Sequence, residues 1–222
     1  ALVANTFSVN EDIELPGDLS SSNPTLQNFI ENTEPYVQGD PNKSPKVQSF
    51  NLNSNGSFTL LPEANWNGTL VFEWNATDST NNTISGTATV TVSPINDPPQ
   101  IFILDKDFGS VTSSLSVEEN QQLIGYINVV DVDGTAVVPT LDISAADSAK
   151  FNIDTANAAD LNSDGKIDYP LKGNSGFNYE VPISAASSNT YQIVIAANDT
   201  QTTASQALNV LVTDQDEAPV LS

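Results

Sequence analysis

The stretch VSPINDPPQI, Val92–Ile101, has a counterpart in VTDQDEAPVL, Val212–Leu221. Each follows a valine-rich alternating run, then carries acids or amides, a proline and an apolar residue. A proline-stiffened acidic stop that returns after 120 residues marks the ends of two similar domains. Working outward, WNATD ending at Asp78 matches IAAND ending at Asp199. Near the starts, FSVNED (Phe7–Asp12) matches LSVEEN (Leu115–Asn120), with Glu11 facing Glu119. Three landmarks in one order predict two homologous domains, 1–97 and 98–215, joined at INDPP. Residues 216–222 are then the start of a linker to a further domain, and the chain reads as a piece of a longer one.

The segments between these landmarks carry strand signals. TLVFEWNATD (Thr69–Asp78), GTATVTVSPI (Gly86–Ile95), TYQIVIAAND (Thr190–Asp199) and QALNVLVTD (Gln206–Asp214) are β-branched or aromatic and partly alternate. Polar clusters such as NSNGS, NWNG and STNNT separate them as turns. Only Asp142–Lys150 hints at a helical turn. The pattern predicts an all-β chain of two tandem antiparallel β-sandwiches.

Composition narrows the chemistry. With 38% hydrophobic residues the chain can build packed cores, so its acidity does not imply disorder. It has no cysteine and no histidine, and its six basic residues are all lysine. Disulfides, thiolate sites, the usual neutral-pH base and the arginine clamp for phosphate are therefore excluded. A net charge of −22 repels nucleic acid and anionic membranes. No apolar run approaches the ~20 residues of a membrane span. Acids at this density suit hard, oxygen-loving cations, calcium above all, or simply form a solubilising halo. Position has to separate the two.

The motifs VEEN, VVDVDG, FNID, FNYE, IAAND and DQDEAP fall in the order and near the spacing of a cadherin repeat, which the second half resembles. The first half, with VNEDIEL, NGSFTLLPEANWNGTLVFEWNATD and INDPP, resembles the cadherin-like tandem repeats of large bacterial surface adhesins, of the RTX-adhesin extender type. The resemblance covers almost the whole chain and implies immunoglobulin-like Greek-key sandwiches placed end to end.

Strands that run up and down a sandwich let acids distant in sequence meet at one pole. Two carboxylates about 4 Å apart repel by roughly 4 kcal/mol at an effective dielectric of 20, so such a cluster needs a cation. The family resemblance implies calcium between consecutive domains, held here by Glu11, Asn96, Asp97, Asp131, Asp133 and Asp199. It implies a second, half-built site from Glu119, Glu180, Asp214, Asp216 and Glu217. The sequence departs from the family pattern where FNYE puts Asn178 in place of an aspartate. The first half lacks that motif, leaving Glu63 or Asn65 as substitutes, and Pro94 stands where the second linker has Asp214.

A separate candidate is DLNSDGKID, Asp160–Asp168. Asp160, Asn162, Asp164, Gly165 and Asp168 fit positions 1, 3, 5, 6 and 9 of an EF-hand-like loop, with the Lys166 carbonyl at position 7. Leu171 replaces the bidentate acid of position 12. The alternative is a long Asp-rich hairpin loop.

Trp66, Trp74, Tyr126, Tyr169 and Tyr191 are candidates for a sugar site, although Trp74 alternates with Phe72 as a core residue does and Trp66 fits a plug at one end of the sandwich. The sequence thus points to a calcium-stiffened spacer or presenting segment of an extracellular bacterial adhesin, on the cell surface or secreted, acting in adhesion and biofilm. Its partners are neighbouring repeats of the same chain, and it is expected to be monomeric, without nucleic-acid or membrane contacts. The alternative is a calcium-dependent glycan- or peptide-binding module. Paired carboxylates can hydrolyse glycosides at about 5–9.5 Å separation, but the acids gather at linkers and loops rather than in a cleft, so no enzyme is expected.

Overall fold

The computed structural model describes residues 3–134 and 136–217. The chain forms two compact units that divide between Ile95 and Asn96, and both are almost entirely strand.

The first unit runs β1 (Val3–Asn10), β2 (Leu15–Asp18), β3 (Gln27–Glu31), β4 (Tyr36–Val37), β5 (Val47–Leu52), β6 (Ser57–Pro62), β7 (Gly68–Thr77) and β8 (Thr83–Ser93). One sheet has the order β1-β8-β7-β3, with β4 also on β7, and the other is β2-β6-β5. Burial alternates along β6, β7 and β8 as a half-buried pleat requires. The inward side chains form an aromatic-rich core of Phe29, Phe58, Leu60, Leu70, Phe72, Trp74 and Val90. Phe58 and Phe72 meet edge-on with centroids 5.3 Å apart, a favoured aromatic geometry.

The second unit runs β9 (Gln100–Asp105), β10 (Ser110–Val111), β11 (Ser114–Glu118), β12 (Leu123–Val130), β13 (Thr140–Leu141), β14 (Phe151–Ile153), β15 (Tyr169–Gly173), β16 (Thr190–Asn198) and β17 (Thr203–Thr213). Its sheets are β10-β9-β12-β15-β14 and β11-β17-β16-β13. Tyr191, Ile193 and Ile195 of β16 face Phe151, Phe177, Ile103, Ile127 and Leu171 across the core. The helical signal of 142–150 yields a 3-10 turn, Ser148–Lys150.

The sandwiches are not wholly antiparallel. β1 pairs parallel with β8, from Val3↔Gly86 to Asn10↔Ser93, and β11 pairs parallel with β17. In the first unit the first and last strands therefore run the same way, and in the second it is β11, its third strand, that runs with the last. Each parallel pair brings the end of β1 or β11 beside the exit linker.

Candidate cation centres

In the first unit the parallel pair continues one residue past β1: the Glu11 N–H donates to the Ser93 carbonyl at 2.9 Å. Glu11 is thereby drawn under the exit strand and is 1% exposed. Its Oε1 accepts the Ile95 N–H at 2.7 Å. The neighbouring Asp12 Oδ1 accepts the Asn65 N–H, so the Glu63–Asn65 loop is held beside Glu11, while Glu63 itself pairs with Lys46. The substitute ligands expected there are thus near the right pole, with Glu63 already engaged.

The second unit repeats this local structure. The Glu119 N–H donates to Thr213 O, its Oε1 accepts the Gln215 N–H and its Oε2 the Tyr179 N–H. Glu119 is fully buried. Bonds from the Tyr179 and Gln215 amides hold its carboxyl below the usual range, against burial, which pushes it up. Carboxylate oxygens of Glu119, Glu180 and Asp214 lie within 4.8 Å of one another. Asp216 is exposed, and Glu217 accepts a bond from the Asn120 amide at 2.9 Å. Asn178, the family aspartate's replacement, uses its oxygen on the Val181 N–H, so it serves a turn.

At the entry pole of the second unit, Asn96 donates through Nδ2 to Asp199 Oδ2 at 2.9 Å. The Asp97 N–H donates to Asp133 Oδ2, and the Asp133 N–H to Asp131 Oδ1. These contacts explain why Asn96 and Asp97 belong to the second unit. Asp199 is held well below the ordinary aspartate range, first by the Thr202 N–H and next by the Asn96 amide. Asp131 Oδ2 is buried without a hydrogen-bond donor. Five of the expected ligands are therefore gathered within one unit.

Within each unit the donor sets suit a hard cation: carboxylates and amide oxygens, one of them an orphaned buried oxygen. All six lysines pair elsewhere, with Glu73, Glu63, Asp107, Asp147, Asp164 and Asp154. None of these ion pairs involves a linker acid.

The 160–168 loop is the third candidate. Asp160 accepts the N–H groups of Asp164 and Gly165, Asn162 also accepts that of Asp164, and Asp164 accepts that of Lys166. Gly165 has φ +83°, the left-handed turn for which glycine is suited. Asp168 is fully buried, and its Oδ2 accepts the Leu161 N–H at 2.8 Å. Among the described residues, buried Asn5, Asn128, Asp147, Ser148 and Ser184 escaped the sequence reading. Nothing but their polarity inside strand- or turn-rich segments could have marked them.

The aromatic candidates are mostly structural. Trp74 and Tyr191 are fully buried, Trp66 and Tyr169 pack on the cores, and Tyr126 stacks on Phe108 at 4.6 Å.

Comparison with known proteins gives these arrangements a family setting. A profile described as a cadherin-like domain matches residues 41–93, the span from the loop before β5 to the end of β8. Comparison with curated protein sequences finds no match. Among solved structures, the human CDH23 EC21-23 fragment aligns over 95% of this chain and 72% of its own length, at 17% identity and a TM-score of 0.52. PcdhgB3 EC1-4 aligns over 96% of this chain and 48% of its own, at 15% identity and a TM-score of 0.55. The protocadherin gamma B2 extracellular domains 3-6 align over 99% and 48%, at 16% identity and a TM-score of 0.52. The chain thus spans about half the length of the two protocadherin fragments. The fold is that of tandem cadherin-like β-sandwiches. Among the described residues no helix is long and apolar enough to cross a membrane.

Proposed function

We propose that the chain is a calcium-stiffened segment of a large extracellular adhesin of the bacterial cadherin-like kind, serving as a spacer or presenting module. The observation that carries this reading is the repeated buried glutamate. Glu11 follows β1 and Glu119 follows β11, each strand running parallel to the last strand of its unit, and each glutamate accepts an N–H from a residue that leads out of the unit. A carboxylate buried at the root of each linker, with acids around it and no lysine to balance them, is a place for a divalent cation. In this reading Glu11 joins Asn96, Asp97, Asp131, Asp133 and Asp199 around calcium, and Glu119, Glu180 and Asp214 prepare the equivalent site for a following repeat.

The ion works through entropy. Each linker residue that it immobilises costs about 1–2 kcal/mol, and relief of carboxylate repulsion offsets that cost. Pro94, Pro98 and Pro99 already restrict the linker to extended forms. Extracellular modules bind calcium at roughly 10⁻⁴–10⁻³ M, so the sites fill outside cells and empty inside them. No catalytic role belongs to this reading.

Small-angle scattering of the chain in millimolar calcium and then in chelator tests it. The expected result is a longer maximum dimension and narrower distance distribution with calcium, both abolished by Asp133→Asn with Asp199→Asn. Identical curves with and without calcium would overturn the proposal.

A further inference from the structure

We infer that the second unit holds a calcium site of its own, between the 160–168 loop and the outer face of its five-stranded sheet, completed by Asn128. This goes beyond the linker sites and uses none of their residues.

The argument starts from the register. Tyr126 pairs with Pro170 and Ile127 with Tyr169, where the pairing of β12 with β15 ends, so Asn128 and Asp168 are the next residues along the two chains. On the other side of β12, Asn128 is opposite Phe102 of β9. Side chains alternate along strands. Ile127, Ile103 and Leu171 enter the core, so Phe102, Asn128 and Asp168 share the face turned away from it.

That outer face should be wet, yet Asn128 is 2% exposed and Asp168 is fully buried. The loop covers them. Ala159 and Asp168 form a two-way backbone bridge that closes its base. Lys166 reaches back over the Phe102 ring, at 5.4 Å from its centroid. Under this cover Asn128 Oδ1 and Asp168 Oδ1 are both buried with no hydrogen-bond donor. Leaving one such oxygen unsatisfied costs about 1–3 kcal/mol, more for a charged group. Two such oxygens, one residue past the paired ends of neighbouring strands, would both be satisfied by a shared positive partner.

Asp160, Asp164 and Asp168 are not drawn within 4.8 Å of one another as Glu119, Glu180 and Asp214 are, so the ion itself has to gather the loop's oxygens into a coordination shell. The loop's backbone N–H groups are spent on the carboxylates of Asp160 and Asp164 and the amide of Asn162, which fixes those side chains around the Gly165 turn. Asp168 Oδ2 is tied to the Leu161 N–H, which turns the carboxylate toward the loop. Three carboxylates, two amide oxygens and the Lys166 carbonyl give six oxygen donors, within the six to eight that calcium takes. Leu171 leaves the twelfth loop position without a ligand, and Asn128 from the neighbouring strand supplies the missing oxygen.

Calcium titration of the whole chain, followed by the backbone amide resonances of Asp164, Gly165 and Lys166, tests the site. With Glu119→Gln and Asp199→Asn in place to disable the linkers, these resonances should still move with calcium, and a titration heat should remain. Asp160→Asn with Asp164→Asn, both exposed and away from the core, should abolish that response while the linker response persists in the otherwise native chain. Asn128→Ala should weaken the loop affinity roughly tenfold and reduce only the calcium-dependent part of the melting temperature. A loop silent to calcium up to about 10 mM, tenfold above the weakest extracellular modules, overturns the site. If Asn128→Ala lowers the melting temperature equally with calcium and with chelator and leaves affinity unchanged, Asn128 is only a hydrogen-bonding residue and the completed shell is refuted.

Discussion

Asp147 shows what a single carboxylate does in this chain when it is not near a linker. It is 2% exposed, yet it accepts the Ala185 and Gln192 N–H groups and pairs with the Lys150 ammonium at 2.9 Å. Burial pushes its carboxyl up, but these donors outweigh it and the group sits below the ordinary range. Asp147→Ala would strand two amides and a cation, and should cost about 3 kcal/mol in urea unfolding. Asp154 is also lowered, mainly by Lys172 and then by Asn157. Groups depressed in the folded state stabilise it fully above their unfolded value and lose that contribution as pH falls. The chain should therefore lose stability below about pH 4, near the unfolded aspartate value. An acid titration followed by circular dichroism in chelator checks this, and Asp147→Asn should flatten the acid limb. Neither residue was legible in the sequence, because an acid at a turn and an acid that staples that turn to a strand look alike in one dimension.

At the scale of elements, β7 and β8 show how much one small residue can decide. Gly86 lies opposite Trp74, and a β-carbon there would come within 2.2 Å of the indole. Such contact forces either the ring or the backbone to move. Gly86→Ala should therefore destabilise the first unit by about 2 kcal/mol through overpacking, measurable as a lower melting temperature of that unit. Trp74→Ala, which removes the largest buried side chain there, should cost roughly 3–5 kcal/mol. The alternation in TLVFEWNATD identified this strand and its buried tryptophan directly. The parallel pairing of β1 and of β11 was not legible, since alternation reports which face is buried and not which neighbour is bonded or in which direction it runs. That pairing, rather than the antiparallel scheme the sequence suggested, is what places Glu11 beside Ile95 and Glu119 beside Gln215.

For the whole molecule, the dominant quantity is the net charge of −22. Self-repulsion of that size destabilises compact states and is screened over about 10 Å at 0.1 M salt. In chelator, raising sodium chloride from 10 mM to 500 mM should raise the melting temperature. On the proposed function, calcium should act far beyond its ionic strength, because it would bind only the assembled sites. At a free concentration a hundredfold above its dissociation constant, one site contributes about 2.7 kcal/mol, or roughly 5–10 °C for a chain of this size. Magnesium at equal concentration should do much less, since it demands octahedral geometry and keeps its water. Scanning calorimetry in the three salts separates screening from binding.

The residue pattern alone determined the strand-rich class, the repeat, the buried aromatic positions and the acids worth watching, because alternation, turn residues and charge are local properties. Which acids actually meet was decided by topology. Parallel pairing with the last strand, by β1 in the first unit and β11 in the second, buries a glutamate under each exit, and the pairing of β12 with β15 brings Asn128 to the edge of a loop that begins 32 residues further on. Such neighbours are created by strand order and register, long-range choices set by how the cores pack, and no window of sequence contains them.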